Sequence, residues 1–263
     1  MSFRHATYLD LLRCFKEAGR IPITVAGYIQ NTDIEKYSRY VILRHDVDRM
    51  TSRSVAMAEM EAENGVRSTY YFRCSKDGVF PKQAIRAIFG MGHEVGYHYE
   101  CLSACGGDRS AALKGFEENL TTLRSIASCN TVSMHGAPLS RFSNQDLLIG
   151  VDLANHGLVA DASLAFAHSQ VAYFTDTGGT WNGGAGENFR DRVGLASGIY
   201  PTPASSEFSD WLNSYDNLVY VSTHPERWAS TSIQFGVFLA KDRATALAKK
   251  AIYRYRRVLT HAH

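Results

Sequence analysis

The chain has 263 residues, of which 45% are hydrophobic and 21% charged, and its formal net charge is +2. This balance is ordinary for a soluble globular protein and gives no reason to expect a nucleic-acid partner. No apolar run approaches the roughly 20 residues that a membrane-spanning helix needs. The five cysteines lack the spacing of a disulfide framework, and the N-terminus is typical of an amphipathic helix, not of a signal peptide. We therefore expect a cytoplasmic location.

Apolar, β-rich runs alternate along the chain with segments of helical period. Short strands separated by helices imply parallel pairing with right-handed crossovers. The sequence therefore predicts a single α/β domain over residues 1–263, built as a barrel or as a doubly wound sheet. The predicted elements are a helix over 6–18, strands over 40–43, 68–72, 94–99, 131–134, 171–174 and 217–222, and helices over 52–63, 82–89 and 110–126.

Two segments interrupt this alternation. Residues 176–197 hold six of the 21 glycines, and we expect a long loop there that borders a site. Residues 241–259 predict a basic helix that packs on the domain with its charged face in solvent. The alternative is loose attachment to an anionic membrane surface, so that any membrane contact is at most peripheral.

Histidine or aspartate recurs where five of the predicted strands end. Because sites in parallel α/β folds form at the carboxyl ends of the strands, we expect these side chains to converge. Any single position can be a helix cap or a core histidine, but the set suits a borderline divalent cation such as Zn²⁺. Asp46 and Asp48 share one side of the first of these strand ends. The other four strand ends carry, in chain order, His98 with Glu100, His135, Asp176, and His224 with Glu226.

Five short motifs lie in order within about residues 40–228: LRHDVDR, GHEVGYH, HGAPLSR, DTGGTW and YVSTHPERW. They resemble those of the polysaccharide deacetylase family, which are metal-dependent carbohydrate esterases. GHEVGYH (Gly92–His98) is the most specific of the five. The resemblance implies a distorted (β/α) barrel of about seven parallel strands.

The resemblance also implies roles for the polar residues. Asp46 is expected to be the general base and His224 the general acid. Asp176 or Glu226 would hold His224 in the required tautomer. The family's second ligand histidine falls at Leu102 here, so another residue completes the metal shell or no metal binds. We expect a divalent metal, Zn²⁺ first, bound by Asp48, His98 and His135, with Glu100 as a reserve ligand.

Further side chains are candidates for substrate contact. Arg44 or Arg141 would orient Asp46, and aromatic rings near the strand ends would stack on a sugar, although such rings are as often ordinary core. The candidate substrate-binding residues are Arg44, Tyr97, Arg141, Trp181 and Trp228.

The expected activity is removal of an N-acetyl or related N-acyl group from an amino sugar. The sugar would be a small molecule or be linked to a nucleotide or lipid carrier, as in the biosynthesis of lipopolysaccharide O-antigen or capsule. One alternative is a non-catalytic carbohydrate-binding protein, which Leu102 favours and the paired acids oppose. Others are hydrolysis of a different C–N amide bond and phosphoesterase action, although the chain lacks a Gly-rich phosphate cradle.

Overall fold

The computed structural model describes residues 3–31, 39–137, 140–177, 179–181, 193–195, 200–231, 233–237 and 240. Within these ranges, no helix is both long enough and apolar enough to cross a bilayer. The helices are α1 (His5–Glu17), α2 (Val25–Ile29), α3 (Thr51–Glu63), α4 (Lys82–Gly90), α5 (Cys101–Ala104), α6 (Arg109–Arg124) and α7 (Ser206–Ser214). The strands are β1 (Ile21–Ile23), β2 (Tyr40–Val47), β3 (Thr69–Phe72), β4 (Glu94–Tyr99), β5 (Thr131–Met134), β6 (Ala160–Asp161), β7 (Val171–Thr175) and β8 (Leu218–Thr223).

The predicted helices form where the sequence pattern placed them, within one or two residues. The helix predicted over 6–18 is α1, and α6 begins after Asp108, whose side chain accepts a hydrogen bond from Ala111 N at 3.0 Å. This N-cap satisfies one backbone donor that the first turn of a helix leaves unpaired. The basic helix predicted over 241–259 and most of the glycine-rich segment lie outside the described residues.

All strands pair in parallel, in the order β6-β5-β4-β3-β2-β8-β7, with β1 alongside β2. The sheet curls, because residues from its middle and from both of its edges pack together on its inner face. Tyr71 of β3 shares one apolar cluster there with Ala162, next to β6, and with Val171 of β7. Across the described residues β6 and β7 do not pair, so the barrel is open between them. The predicted distorted (β/α) barrel of about seven parallel strands is confirmed.

Strand β2 is buried on both faces, and its side chains alternate between them. Val41, Leu43 and Val47 pack outward against helices, whereas Ile42 belongs to the inner cluster. Two residues further along the same inner face come Arg44 and then Asp46, because strand side chains repeat every second residue. The inner face is thus apolar in the middle of the barrel and polar toward the carboxyl ends of the strands.

Candidate active site

The carboxyl ends of five strands, β2, β4, β5, β7 and β8, bring the predicted polar residues to one place. In the β2–β8 register His45 lies opposite Thr223, so the next residues, Asp46 and His224, follow side by side. His98 lies opposite Ser133 in the β4–β5 register, and the pairing continues beyond β5, because His135 N donates to Tyr99 O at 2.7 Å.

Asp48 lies between the two predicted ligand histidines. Its Oδ1 atom is 3.7 Å from His98 Nε2 and 3.7 Å from His135 Nε2, and the two imidazole rings have centroids 5.4 Å apart. Both distances are too long for hydrogen bonds. Asp48 Oδ1 is buried and has no hydrogen-bond partner among the residues that the structure describes. The structure therefore brings the three predicted ligands together around a carboxylate oxygen that is not satisfied.

The other nitrogen of each histidine fixes its tautomer. His98 Nδ1 lies 3.0 Å from the Ser133 carbonyl oxygen, which can only accept, so Nδ1 carries the proton. His135 Nδ1 lies 2.9 Å from Glu100 Oε2. Burial lowers the pKa of His98 to about 4, so its imidazole is neutral near pH 7. In the neutral form both histidines therefore present an Nε2 lone pair toward Asp48.

These donors fit a divalent cation by their chemistry and nearly by their spacing. One carboxylate oxygen and two imidazole nitrogens are the ligands of many open zinc sites, in which donors about 2.1 Å from the metal lie about 3.4 Å apart. As the side chains stand in the described part of the chain, no group of three or more His, Cys, Asp or Glu residues is closed enough to hold a metal ion. The 3.7 Å separations require each donor to move by a few tenths of an ångström.

Glu100, which the sequence analysis left as a reserve ligand, contacts the predicted ligand His135 from behind. Its carboxylate accepts from Arg73 Nη2 at 2.6 Å as well as from His135 Nδ1. Although burial opposes ionisation, the hydrogen bonds from His135 and Arg73 lower the pKa of Glu100 to about 2. A carboxylate that orients a ligand histidine from behind strengthens that histidine as a ligand.

Arg73 is a site residue that the sequence analysis missed. It follows β3 directly, and its Nη1 atom is 3.7 Å from Asp48 Oδ1. The rule that identified the other site residues, a polar side chain at a strand exit, would have identified it.

Asp46 is held by Arg44, one of the two arginines expected to orient it, and the burial of Arg44 corrects its grouping with the substrate-binding residues. Arg44 Nε donates to Asp46 Oδ1 at 2.8 Å, and Arg44 Nη2 donates to Asp46 Oδ2 at 2.6 Å. Burial alone would raise the pKa of Asp46, but the charge of Arg44 holds that pKa well below its usual range. Arg44 is only 1% exposed, so its role is to orient an ionised Asp46.

His224 is paired with Asp176, as the sequence analysis expected. Asp176 Oδ1 is 2.7 Å from His224 Nδ1, and the same carboxylate accepts from His224 N and, at 2.9 Å, from Trp228 Nε1. Burial disfavours the charged imidazole, but the Asp176 carboxylate outweighs it and raises the pKa of His224 to about 10. His224 is therefore protonated near neutral pH and can act as an acid.

Glu226 borders the same site but does not hold His224. Burial, together with the charge of nearby Asp48, raises the pKa of Glu226 to about 7. Its Oε2 atom is buried without a hydrogen-bond partner in the described ranges. Asp176, not Glu226, fixes the tautomer of His224.

Two of the predicted sugar-stacking residues are core residues, and these assignments are corrected. Tyr97 alternates with His98 and so faces the opposite, outer side of the sheet, where it packs against Phe116 in an apolar cluster. Trp228 is 1% exposed and packs edge-on against Phe3 and Tyr8. Neither ring is available to a ligand.

The remaining candidates lie as follows. Trp181 is partly buried against Phe3 and Trp228. Arg141 is exposed, with its guanidinium over the ring of Phe142, and Arg44 instead is the arginine that contacts Asp46. Leu102 packs in the outer hydrophobic cluster, which explains why this position carries an apolar residue.

Comparison with known proteins finds no matching family model and no matching curated protein. Among solved structures, the chain is similar to the Xyl-CE4 domain of a multidomain xylanase from the hindgut metagenome of Trinervitermes trinervoides, with 10% identity, a TM-score of 0.40 and coverage of 78% of this chain and 83% of that domain. A mutant of a CE4 family pseudoenzyme, with restored enzymatic activity, gives 11% identity, a TM-score of 0.38 and coverage of 78% and 63%. A mutant of peptidoglycan deacetylase PdaC from Bacillus subtilis gives 13% identity, a TM-score of 0.36 and coverage of 82% of this chain and 96% of that chain. Two of these three proteins carry the CE4 name, and the third is a peptidoglycan deacetylase.

Proposed function

We propose that the protein is a metal-dependent hydrolase that removes an N-acetyl or related N-acyl group from an amino sugar. The observation that carries this proposal is the convergence of Asp48 Oδ1 with the Nε2 atoms of His98 and His135, each 3.7 Å from that oxygen. Three lone pairs directed at one point are unfavourable unless a cation lies between them.

Asp48, His98 and His135 would hold the divalent ion, with Zn²⁺ as the first candidate from the donor set. When bound, such an ion lowers the pKa of a water molecule toward about 7 and polarises the acyl carbonyl. Glu100 would keep His135 in the tautomer that leaves Nε2 free, and the Ser133 carbonyl does the same for His98.

The proton transfers fall to Asp46 and His224. Asp46 is ionised and oriented by two hydrogen bonds from Arg44, so it can take the proton of the attacking water. His224 is protonated by virtue of Asp176 and donates its proton to the departing amine, which cannot leave as its anion. The two residues follow adjacent parallel strands, and their being neighbours supports a joint role as base and acid.

A groove beside these residues offers room for the sugar. It has a volume of about 500 Å³, and its lining includes polar residues such as Asp48, Arg73 and Glu100 together with the apolar Val79 and Pro81. A groove lined by both polar and apolar groups suits a pyranose ring, which has apolar faces and a polar rim. A carrier-linked amino sugar for a surface polysaccharide remains our proposal for the substrate, on the strength of the family resemblance.

A metal-free carbohydrate-binding protein is the second candidate. The Arg73 guanidinium, 3.7 Å from Asp48 Oδ1, already supplies one positive charge beside that carboxylate. Leu102 also removes the ligand histidine that the family provides. In this case the groove would bind sugar without hydrolysing it.

Elemental analysis of protein purified without added metal separates the two candidates. We expect about one Zn²⁺ per chain, lost in Asp48→Ala and His98→Ala and retained in His156→Ala, a histidine variant outside the site. Acetate release from a panel of N-acetylated sugars then tests the reaction. A metal-free protein that binds a sugar and releases no acetate would contradict the proposal.

A further inference from the structure

A second buried polar cluster lies on the outer face of β2, behind the candidate active site. Its centre is Glu61 of α3, which is fully buried. Glu61 Oε2 accepts from Ser68 Oγ at 2.6 Å and from Tyr70 Oη at 2.7 Å, and Glu61 Oε1 lies 2.8 Å from His45 Nε2 and accepts from Tyr8 Oη. We call these five residues the Glu61 network.

The network is charged and fully paired, and nothing in the proposed reaction uses it. Burial would raise the pKa of Glu61, but His45 and the hydrogen bonds lower that pKa to about 2, so Glu61 is ionised. With Tyr8, His45, Tyr70 and Glu61 all completely buried, no substrate can reach it. The ionised Glu61 carboxylate therefore interacts with other groups of the protein and not with substrate.

One connection runs from the network across the sheet to β8. His45 Nδ1 lies 2.7 Å from Thr223 Oγ1, and these two residues are register partners of β2 and β8. Each is followed by a residue of the proposed reaction, Asp46 after His45 and His224 after Thr223. The outer-face contact thus lies directly behind the proposed base and the proposed acid.

A second connection runs through α1. The ring of Tyr8, whose hydroxyl donates to Glu61, packs edge-on against Trp228 with centroids 5.0 Å apart. Trp228 Nε1 in turn donates to Asp176 at 2.9 Å, and Asp176 holds His224. The network therefore reaches His224 by two routes, the strand register and the indole of Trp228.

We propose that the Glu61 network is a positioning device that sets the separation and orientation of Asp46 and His224. This inference rests on the proposed hydrolase function. Because His45 and Thr223 bridge two strands directly behind the reacting groups, a loosened bridge displaces both groups at once. Small displacements of reacting groups lower turnover strongly while leaving substrate binding intact.

The first test compares the fully buried Glu61 with Glu94, a partly buried glutamate. Glu94 accepts from Thr69 Oγ1 at 2.8 Å and from Ala26 N at 2.9 Å, and it begins β4, at the opposite end of the barrel from the site. We expect Glu61→Gln to lower kcat about tenfold with KM within about twofold, and Glu94→Gln to change kcat less than about twofold. Equal losses in the two variants would overturn the proposal.

The second test uses threonine variants in case Glu61→Gln does not fold. Thr223→Val removes the hydroxyl that contacts His45 but keeps the shape, whereas Thr223→Ser keeps the hydroxyl. We expect kcat to be about tenfold lower than wild type in Thr223→Val and close to wild type in Thr223→Ser. Thr131→Val, which removes a hydroxyl from the Glu94 end of the barrel, is the matched control. Wild-type kcat in Thr223→Val would contradict the proposal.

A readout independent of activity separates this inference from the proposed function. Nitrogen chemical shifts of the His224 ring report its hydrogen bond to Asp176, and Glu61 is distant from His224 in sequence. We expect these shifts to move in Glu61→Gln and to stay unchanged in Glu94→Gln. If the wild-type protein hydrolyses none of the sugars, the proposed function fails, whereas unmoved His224 shifts would reject the positioning role.

Discussion

Two polar clusters lie on opposite faces of β2, and they differ in how completely their atoms are paired. On the outer face, Glu61 receives four donors, and His45 has partners at both ring nitrogens. On the inner face, and within the described residues, Asp48 Oδ1 and Glu226 Oε2 are buried without hydrogen-bond partners, as are the hydroxyls of Ser133 and Ser222.

The difference decides what a ligand could add to each cluster. Buried polar atoms cost free energy unless they are hydrogen-bonded, so a fully paired cluster is complete as it stands. A cluster with several unpaired atoms at a strand exit gains when a ligand supplies the missing partners. Both clusters contain histidine and carboxylate side chains, and they differ in how many of their polar atoms are hydrogen-bonded.

The largest loss of activity is expected from a substitution in the polar cluster on the inner face of β2. Asp46→Asn removes the proposed base and keeps its size, so hydrolysis should fall about 10³-fold or more. Metal content should stay near that of the wild type, because Asp46 is not one of the proposed ligands. Acetate release and elemental analysis of the same preparation measure both, and a variant that keeps more than a tenth of the activity would reject Asp46 as the base.

Glu61→Gln should affect the free energy of unfolding. The pKa of Glu61 is lowered from 4.5 to about 2, so its charge stabilises the fold by about 3 kcal/mol above pH 4.5, and this contribution is lost as pH falls toward 2. The stability difference between wild type and Glu61→Gln should therefore shrink on acidification, as measured by denaturant unfolding at several pH values.

Glu94→Gln serves as a control, because its effect on stability should depend on pH in the opposite direction. Burial raises the pKa of Glu94, so its ionisation destabilises the fold as pH rises through that pKa. The stability of this variant relative to wild type should improve with rising pH. A difference that grew on acidification for Glu61→Gln would contradict the assignment of Glu61 as an ionised, paired carboxylate.

Asp176→Asn should shift the pH dependence of hydrolysis. Asp176 raises the pKa of His224 to about 10, so the protonated acid is present below that pH and is lost above it. Without the carboxylate, burial lowers the His224 pKa, and the basic limb of the kcat/KM profile should move to lower pH, with about a 10²-fold loss near pH 8. An unmoved basic limb would exclude His224 as the titrating acid.

Trp228→Phe should give the smallest effect. It removes one hydrogen bond to Asp176 and keeps most of the packing against Phe3 and Tyr8. We expect about a fivefold loss of kcat with KM unchanged, since a single hydrogen bond contributes about 1 kcal/mol. A large rise in KM would instead mean that the ring contacts the sugar, contrary to its 1% exposure.

Much of the site could be predicted from sequence because strand geometry is local. The two-residue period of a strand placed Asp46 with Asp48, and the convergence of parallel strand ends placed His98, His135 and His224 with them. The same two-residue period shows that Tyr97 faces the other side of the sheet from His98, so its assignment to sugar stacking could have been avoided. Strands β1 and β6, with three and two residues, were too short to show any period.

What the sequence by itself determined is the order of strands and helices and which side chains each strand end presents, because these depend on residues close together in the chain. Only the tertiary structure decided that Arg44, and not Arg141, holds Asp46, that Glu100 contacts His135 Nδ1, and that Trp228 is core. It alone assembled Tyr8, 53 positions before Glu61 in the chain, into one network with it. Such contacts join residues from separate elements, and no local period records which distant side chains meet once the sheet has curled.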